Sequence, residues 1–305
     1  MDIPHVYLNG HIVPLAEAAI SPLDIGLLRG YAVFDLLRTV GGRPFLLTEH
    51  LKRLRASADE LNLKVPVDDA TIAQAIERLL ELNQHAEATV RLLLTGGVSP
   101  DGRTASDGDP TFLILTHELQ DLAPNVYEDS VGLMLVEHAR ELPQAKSTNY
   151  LTMLKRMPDA KETGNMSILY HKDGRISEAA SASFYIVKDE VILAPSAGVL
   201  YGTVGPRILA LAEKSGHRVI RGQITLDDAL AADEAFITST TRGVVPIVRL
   251  SQNTIGTGRP GPVTRKLIGL FKQLLQEAYC AAQDQCSKRS RSASIALSET
   301  ALDPP

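Results

Sequence analysis

Apolar and polar residues alternate through the first strands that the sequence predicts. The segment VYLNGHIVPL alternates on both sides of Asn9-Gly10, a dipeptide that favours a type I′ turn, and so predicts a β-hairpin. The segment VFDLLRTVGGRPFLL repeats this pattern around Gly41-Gly42. Residues 48–63 and 68–83 instead carry apolar residues at helical spacing, with Thr48 as the expected N-cap of the first helix. Strand patterns in VRLLLTGG and PTFLILTHEL follow, and the order β-β-β-α-α-β-β predicts an α+β domain.

Strand and helix patterns continue in the second half of the chain. VGLMLVEHA and SILYHKDGRISEAASASFYIVKDEVILAPS predict strands with turns, and GPRILALAEKSG predicts a helix with Pro206 at its start. PVTRKLIGLFKQLLQEAYCAA predicts a final helix with an apolar face. The last residues lack periodicity and are rich in serine and charge, which is typical of a disordered tail. We therefore predict a small N-terminal domain over 1–120, a linker over 121–130, a larger C-terminal domain over 131–282 and a disordered tail over 283–305.

Composition limits the classes of function. The 305 residues are 44% hydrophobic and 22% charged, which is typical of a soluble globular protein. The net charge of −5 and the lack of a basic block in the body of the chain argue against a nucleic-acid surface. No apolar run approaches the roughly 20 residues that cross a membrane. The cysteines, Cys280 and Cys286, form neither a disulfide framework nor a metal-ligand pattern, so we expect a cytoplasmic protein without a structural metal.

Several polar residues stand where a folded core would not require them. Lys146, among small polar residues in ELPQAKSTNYLTMLK, is compatible with a surface charge and with an amine close to a ligand. Arg91 interrupts an apolar strand, so it needs either a buried acidic partner or an anionic ligand. The glycine-rich turn in SAGVLYGTVGPRILALAE precedes a helix, whose free N–H groups form a typical site for an anion such as phosphate. Taken singly, Arg53 and Glu178 fit a solvated surface charge and a turn carboxylate.

Six segments, taken in order, resemble one known family. They are RGYAVFDLLRT, EHLKRLRASA, KSTNYLTMLKR, GRISEAASASFYIV, LYGTVGPR and FITSTTRGVVPI, and the resemblance extends from about residue 5 to residue 275. The family is the class IV, or fold-type IV, pyridoxal-phosphate-dependent aminotransferases, which includes branched-chain aminotransferases, D-amino-acid aminotransferases and aminodeoxychorismate lyases. The resemblance implies a small N-terminal α/β domain and a larger, β-barrel-like C-terminal domain with helices, joined by a short linker.

The resemblance also implies roles for residues in these segments. Lys146 matches the lysine that forms a Schiff base with pyridoxal 5′-phosphate, which requires a neutral amine and hence a lowered pKa. The freed amine would then move the substrate's α-proton as a general base and acid. Glu178 matches the glutamate that keeps the pyridine nitrogen protonated, so that the ring acts as an electron sink. The other cofactor residues would be Arg53, the backbone of Thr203 and Val204, and Thr240 at the phosphate, and Tyr150 near the phenolic oxygen of the ring.

The chain departs from the family pattern at three places. The usual turn GITR reads GTVG over residues 202–205, so the arginine is missing and backbone amides would have to hold the phosphate there. Ser183 stands where the family has an asparagine. Asp35 stands where the family has a glutamate, a change that we expect to affect packing rather than chemistry.

The residues expected to bind the substrate differ more from the familiar members of the family than the cofactor residues do. TGGVSPDGRT lacks the arginine–histidine pair of familiar D-amino-acid enzymes, and many branched-chain enzymes have a tyrosine where this chain has Arg29. LRGYAVFD followed by VRLLLTGGVSPDG resembles a less common bacterial group that acts on D-amino acids. In the family, the residue at Arg29 reaches the active site of the neighbouring subunit, which implies a homodimer. Arg29 and Arg91 together would bind both carboxylates of glutamate or 2-oxoglutarate. The alternative for Arg29 is an interface salt bridge.

We therefore expect a transaminase that moves an amino group from an amino acid to a 2-oxo acid. D-Amino acids such as D-glutamate or D-alanine are the expected donors, and 2-oxoglutarate or pyruvate the expected acceptor. A branched-chain L-amino-acid aminotransferase and an aminodeoxychorismate lyase are the alternatives, because they share the cofactor residues. A carrier of pyridoxal phosphate without turnover is disfavoured, because it would not need the pair of Lys146 and Glu178. The eight histidines follow no metal or nucleophile spacing, so we expect no histidine in the mechanism.

Overall fold

The computed structural model describes residues 4–104, 110–120, 124–127 and 131–299 of the chain. Helices and strands are mixed along it, which confirms the predicted α+β class. The helices are α1 (Ile25–Arg29), α2 (Leu47–Asp59), α3 (Asp69–Asn83), α4 (Leu151–Glu162), α5 (Val204–Lys214), α6 (Leu226–Leu230) and α7 (Pro262–Glu299). Within the described ranges, no helix is both long enough and apolar enough to cross a membrane.

An antiparallel sheet of six strands forms the N-terminal half. Its strands are β1 (His5–Leu8), β2 (His11–Pro14), β3 (Ala32–Val40), β4 (Arg43–Pro44), β5 (Ala88–Thr95) and β6 (Phe112–Glu118), in the spatial order β2-β1-β6-β5-β3-β4. The hairpin of β1 and β2 turns at Asn9 and Gly10, whose φ angles of 47° and 95° suit a type I′ turn, so the predicted hairpin is confirmed. Helices α2 and α3 pack on this sheet, and Leu54, Ile76 and Leu79 are fully buried there.

Two further sheets form the C-terminal half. The first contains, in spatial order, β12 (Val219–Gly222), β11 (Val191–Pro195), β10 (Ser183–Lys188), β14 (Glu234–Ser239) and β15 (Gly243–Ile247). The second contains β13 (Ile224–Thr225), β9 (Arg175–Ala179), β8 (Ser167–Lys172), β7 (Gly132–Glu137), β16 (Arg249–Leu250) and β17 (Asn253–Thr254). Side chains from both sheets, such as Ile237 and Leu133, form one buried cluster. Helices α5 and α7 pack on the first sheet and bury Phe236, Ile208 and Leu267.

Helices α1 and α4 have no counterpart in the predicted pattern, whereas α6 corresponds to a short helix that LDDALA predicts. Helix α1 is only five residues long, and its start is held by Asp24, whose side chain accepts a hydrogen bond from the Gly26 N–H at 2.7 Å. Helix α4 buries only Ala160, and it exposes Leu151 and Leu154. A helix without a buried apolar stripe gives no periodic signal in the sequence.

The helix ends also differ from the prediction. The predicted N-cap Thr48 is wrong, because α2 begins at Leu47 and its N-cap is Leu46, which lies in the left-handed region without a side-chain cap. Helix α7 continues to Glu299, whereas the sequence pattern predicts a disordered tail from residue 283. Residues 270–299 contain neither glycine nor proline, the two residues least favourable inside a helix. The sequence therefore allows α7 to continue.

The predicted domain boundaries remain predictions. The N-terminal sheet ends with β6, and the two C-terminal sheets begin with β7. Between them, a 3₁₀ turn spans Pro124–Tyr127, and the rest of the linker predicted over 121–130 lies outside the described residues. Residues 300–305 of the predicted tail lie outside them as well.

Candidate active site

A pocket of about 450 Å³ lies where the N-terminal sheet meets the C-terminal half. Strands β3 and β5 contribute Phe34 and Arg91 to its wall. Further lining residues come from the turn after β9, the start of α5 and the turn between β14 and β15. The predicted site residues that line the pocket are Arg53, Arg91, Lys146, Tyr150, Glu178, Thr203, Val204 and Thr240.

The backbone around Lys146 is tied to the N-terminal half. Its carbonyl accepts a hydrogen bond from the Phe34 N–H at 2.9 Å, and its own N–H donates to the Ser57 hydroxyl at 3.1 Å. The side chain points into the pocket, where Nζ lies 4.6 Å from the centroid of the Phe34 ring. Burial and the nearby Arg53 charge lower the pKa of the Lys146 amine to about 8. The amine is therefore much closer to its neutral, nucleophilic form at physiological pH than an ordinary lysine.

Glu178 is a buried carboxylate with two fixed partners. Arg140 donates to Oε1 at 2.7 Å, and the Leu200 N–H donates to Oε2 at 3.0 Å. Burial raises the pKa of Glu178 against the opposing effect of the Arg140 charge. Arg140 also donates to the backbone carbonyl of Ala145, next to Lys146, so one guanidinium fixes both the carboxylate and the segment that carries the lysine. Sequence reasoning missed Arg140, which has no motif of its own and stands 38 residues from its acidic partner.

Arg53 is held by a buried ion pair with Asp35. Its Nε and Nη2 donate to the two Asp35 oxygens at 2.7 and 2.8 Å, and the Asp35 carboxylate is fully buried. Burial alone would raise the pKa of Asp35, but the charge and hydrogen bonds of Arg53 and His50 outweigh it and lower the pKa to about 2. Asp35 thus does more than pack, because its carboxylate fixes the orientation of Arg53, whose role at the phosphate stays a prediction.

His50 connects this ion pair to the start of α5. Its Nδ1 lies 2.6 Å from the Asp35 carboxylate, and its Nε2 lies 3.3 Å from the Thr203 hydroxyl. Burial lowers the pKa of His50 despite the Asp35 carboxylate. In the neutral ring, Nδ1–H donates to Asp35 and Nε2 accepts from Thr203. His50 is thus a core residue with both ring nitrogens satisfied, and it supports the site.

The start of α5 forms a cradle suited to an anion. Thr203 is its N-cap residue without a side-chain cap, and the N–H groups of the first helical turn, from Val204 onward, have no partner within the helix. A side chain at Gly205 would overlap the phenol oxygen of Tyr185, so the turn needs glycine there. Ser239, in the pocket wall, has a buried hydroxyl without a hydrogen-bond partner among the described residues. Unpaired donors around a helix start fit a phosphate group.

The other predicted residues divide into those inside and those outside the pocket. Tyr150 lines it, with its ring centroid 5.7 Å from that of Phe34, and burial raises the pKa of its phenol. Thr240 lies in the turn between β14 and β15. Arg91 lines the pocket with Cζ 5.0 Å from the Phe34 centroid. Arg29, at the end of α1, is exposed and does not line the pocket of its own chain.

Comparison with known families agrees with this arrangement. The profile of the amino-transferase class IV family matches residues 32–250, which include the lysine, the glutamate and the α5 start described above. The chain therefore belongs to the class IV aminotransferase family. Its resemblance to that family, first seen in six short segments, is confirmed over most of its length.

Individual relatives cover nearly the whole chain. The D-alanine aminotransferase of Bacillus licheniformis is 29% identical over 266 residues, which are 86% of this chain and 94% of the relative. The crystal structure of the Escherichia coli branched-chain amino acid aminotransferase is similar with a TM-score of 0.83 and 25% identity, over 90% of this chain and 95% of that one. The branched-chain aminotransferase of the archaeon Thermoproteus uzoniensis, solved with norvaline, has a TM-score of 0.80 at 22% identity, over 90% and 95% of the two chains. These likenesses confirm the fold-type IV architecture.

Proposed function

We propose that this aminotransferase binds pyridoxal 5′-phosphate and transfers an amino group from a D-amino acid, such as D-glutamate or D-alanine, to 2-oxoglutarate or pyruvate. The observation that carries the proposal is the Lys146 amine, whose pKa is lowered to about 8 inside a pocket that also holds Glu178 and an anion cradle. Class IV aminotransferases use this cofactor. The name of the Bacillus licheniformis relative supports D-amino acids as donors.

Different residues around the pocket would hold different parts of the cofactor. Arg53, the start of α5 at Thr203 and Val204, and Thr240 would hold the phosphate, while Glu178 would face the ring nitrogen and Tyr150 the phenolic oxygen. When bound, pyridoxal phosphate supplies an electron sink for the charge that develops at the substrate's α-carbon.

Lys146 would carry the proton transfers. With a pKa of about 8, roughly a quarter of the amine is neutral at pH 7.5, against about one part in a thousand at an unshifted 10.5. A neutral Nζ can act as a nucleophile, and once free it would take the proton from the substrate's α-carbon and pass it to the cofactor, which keeps the amino group. Arg140 would keep Glu178 ionised and in place during these steps, because its guanidinium lies 2.7 Å from that carboxylate.

A branched-chain L-amino acid is the second candidate donor. Leu36, Met153 and Leu154 also line the pocket, and they offer apolar surface to a branched side chain. The branched-chain aminotransferases among the similar structures are in line with this alternative. Arg91 favours glutamate over a branched-chain donor, because an arginine in the pocket wall suits a second carboxylate better than an apolar side chain.

The cofactor proposal is tested by the colour of the purified protein. We expect a yellow chromophore that borohydride bleaches and fixes on Lys146, where mass spectrometry of a digest should find it. Lys146→Ala should abolish turnover and borohydride fixation while retaining non-covalent cofactor, as equilibrium dialysis would measure. Lys155→Ala, which removes an exposed lysine of α4, is the matched control and should behave as the wild type. A colourless protein that takes up no pyridoxal phosphate would refute the proposal.

The donor is tested by single half-reactions that are followed by the cofactor's absorbance. D-Glutamate and D-alanine should convert the cofactor faster than L-leucine, and a faster reaction with L-leucine would favour the second candidate. Arg91→Ala should weaken the use of D-glutamate far more than that of (R)-phenylethylamine, which has no carboxylate. Equal effects on both amines would exclude a carboxylate-binding role for Arg91.

We also propose that two copies associate. Arg29 is exposed, and Leu27 and Leu23 beside it are 70% and 53% exposed, as are Leu151 and Leu154 on α4 at 73% and 67%. Large apolar side chains exposed in this number are typical of a protein interface. In a dimer, Arg29 of one copy would approach the pocket of the other, as the family resemblance implies. Light scattering after gel filtration tests this, with a mass of about 66 kDa expected from the 33.0 kDa chain.

A further inference from the structure

Two of the arginines in the pocket wall are neutralised by fixed carboxylates. Arg53 pairs with Asp35, and Arg140 pairs with Glu178, each at 2.7 Å. Each guanidinium is therefore held in place, and each pair of arginine and carboxylate has no net charge. A remaining arginine in the wall is free to pair with an anion that enters the pocket, which would relieve the cost of its partial burial.

Arg242 is such an arginine. It lines the pocket from the turn between β14 and β15, and among the described residues no carboxylate forms an ion pair with its guanidinium. Its Nη2 donates to the Ser181 hydroxyl at 2.9 Å, and its backbone carbonyl accepts from the Tyr127 hydroxyl at 2.9 Å. The next residue, Gly243, has a φ of 65° and packs so closely on Phe271 that a Cβ would overlap that ring. The turn is thus fixed, and it presents Arg242 to the pocket.

Arg91 is the second arginine of the pocket wall that forms no ion pair with a carboxylate among the described residues. It extends from β5, where it contacts the Phe34 ring and lines the pocket from the N-terminal half. Arg242 enters from the C-terminal half. Two guanidiniums on separate elements of one pocket match a substrate with two separate carboxylates, since each planar fork binds one carboxylate through paired hydrogen bonds.

We propose that Arg242, oriented by Ser181, binds one carboxylate of a dicarboxylic amino acid or 2-oxo acid while Arg91 binds the other. The proposal rests on the transaminase function proposed above and narrows its substrates to dicarboxylates. It also differs from the sequence-based expectation, in which Arg29 supplies the second guanidinium. With Arg242 in this role, a single chain holds both carboxylate-binding residues, and Arg29 is not needed for dicarboxylate selection.

The test measures binding without turnover. Glutarate has two carboxylates and no amino or oxo group, whereas pentanoate has the same chain length and one carboxylate. Calorimetric titration of the pyridoxal-phosphate-loaded protein should show tighter binding of glutarate. Arg242→Met keeps the apolar stem of the side chain and should reduce the glutarate-to-pentanoate affinity ratio by roughly 10- to 100-fold, the effect of losing one charged hydrogen-bonded pair. Ser181→Ala should reduce it several-fold, and Arg242→Lys should restore part of it.

Two comparison variants and two further measurements distinguish the outcomes. Arg175→Met removes an exposed arginine of β9 that does not line the pocket, and it should leave the ratio unchanged. If Arg29→Met collapses the ratio and Arg242→Met does not, the second guanidinium is Arg29 and the proposal is wrong. If Arg242→Met instead weakens binding of pyridoxal phosphate at an unchanged ratio, Arg242 serves the cofactor and the proposal is also wrong. A thermal melt like that of the wild type shows that each variant is folded.

A failure of the proposed transaminase function would give a different result from a failure of the role proposed for Arg242. A wild-type protein without a borohydride-sensitive chromophore would refute the transaminase proposal. The same glutarate and pentanoate titrations on that cofactor-free protein would then still test whether Arg242 selects dicarboxylates. An unchanged ratio in Arg242→Met, in a protein that does bind the cofactor, would refute the role of Arg242 alone.

Discussion

Replacing Asp35 by asparagine removes the charge that holds Arg53 at the pocket while almost preserving side-chain volume. Both Asp35 oxygens accept from Arg53, and the Arg53 side chain is only 12% exposed. The variant therefore leaves a nearly buried guanidinium without its carboxylate. Breaking one partner of a buried ion pair destabilises a protein by about 3–5 kcal/mol, because the remaining charge stays desolvated.

The pKa of Asp35 gives an independent and lower value for the loss in the free energy of unfolding. The pKa is about 2 in the folded protein and 3.8 for an ordinary aspartate, a difference of about 1.8, which corresponds to roughly 2 kcal/mol. Because the pKa of the folded state is the lower one, this stabilisation is fully present above about pH 4 and is lost as the pH falls towards 2. The asparagine variant should thus lose between roughly 2 and 5 kcal/mol at pH 7, and its difference from the wild type should narrow below pH 4.

Urea unfolding of both proteins at pH 7, 5, 4 and 3 measures this difference. The matched control is Asp69→Asn, which removes the carboxylate of the ion pair with Arg55 at 2.6 Å, where the two side chains are 53% and 36% exposed. An exposed pair contributes about 1 kcal/mol or less, so the control should remain close to the wild type. A loss below about 1 kcal/mol for Asp35→Asn, or a difference that stays constant from pH 7 to 3, would refute the buried ion pair as a stabilising element.

Other contacts give three further predictions. In the cofactor-free protein, the labelling of Lys146 by an amine reagent should rise with pH around a midpoint of about 8, because only the neutral amine reacts. Mass spectrometry measures the labelled fraction, and a midpoint near 10.5, that of an ordinary lysine, would contradict the lowered pKa. Gly205→Ala should destabilise the protein by roughly 1–3 kcal/mol in urea unfolding through overlap with the Tyr185 phenol, and Tyr185→Phe should recover most of this loss, whereas additive effects would exclude the contact. Arg140→Gln should raise the pKa of Glu178 further, since it removes the cation 2.7 Å away; an infrared titration of the carboxyl band measures the shift, and an unchanged pKa would exclude the pairing.

Local sequence patterns predicted those helices and strands whose conformation is determined by their own residues. The first hairpin follows from Asn9-Gly10, because few other dipeptides adopt two positive φ angles. Helix α3 follows from its apolar spacing, and the structure adds an N-cap at Asp68, whose side chain accepts from the Thr71 N–H. Helix α4 could not be found in this way, because its apolar Leu151 faces solvent. Its position depends on surroundings that a local window does not contain.

The site was predictable only as far as the family resemblance extends. Lys146 and Glu178 were indicated by the order of six segments, and both line the pocket. Arg140, Asp35 and Arg242 were not predicted as site residues, because each acts through a contact with a residue far away in the chain. Arg242 stands two residues from the predicted phosphate residue, yet an arginine beside a glycine turn is typical of a solvated surface position.

The four arginines of the pocket wall are of two kinds with different consequences. Guanidiniums paired with buried carboxylates keep one position whether or not a ligand is present, so they suit a resident cofactor that must be oriented the same way in every turnover. Arg91 and Arg242 have no such carboxylate among the described residues, so their charge is balanced only when an anion enters. A substrate that brings two carboxylates neutralises both, whereas a monocarboxylate leaves one cation unpaired in a partly buried wall. Selectivity for dicarboxylates would thus arise from the penalty on the wrong substrate as much as from the contacts made by the right one.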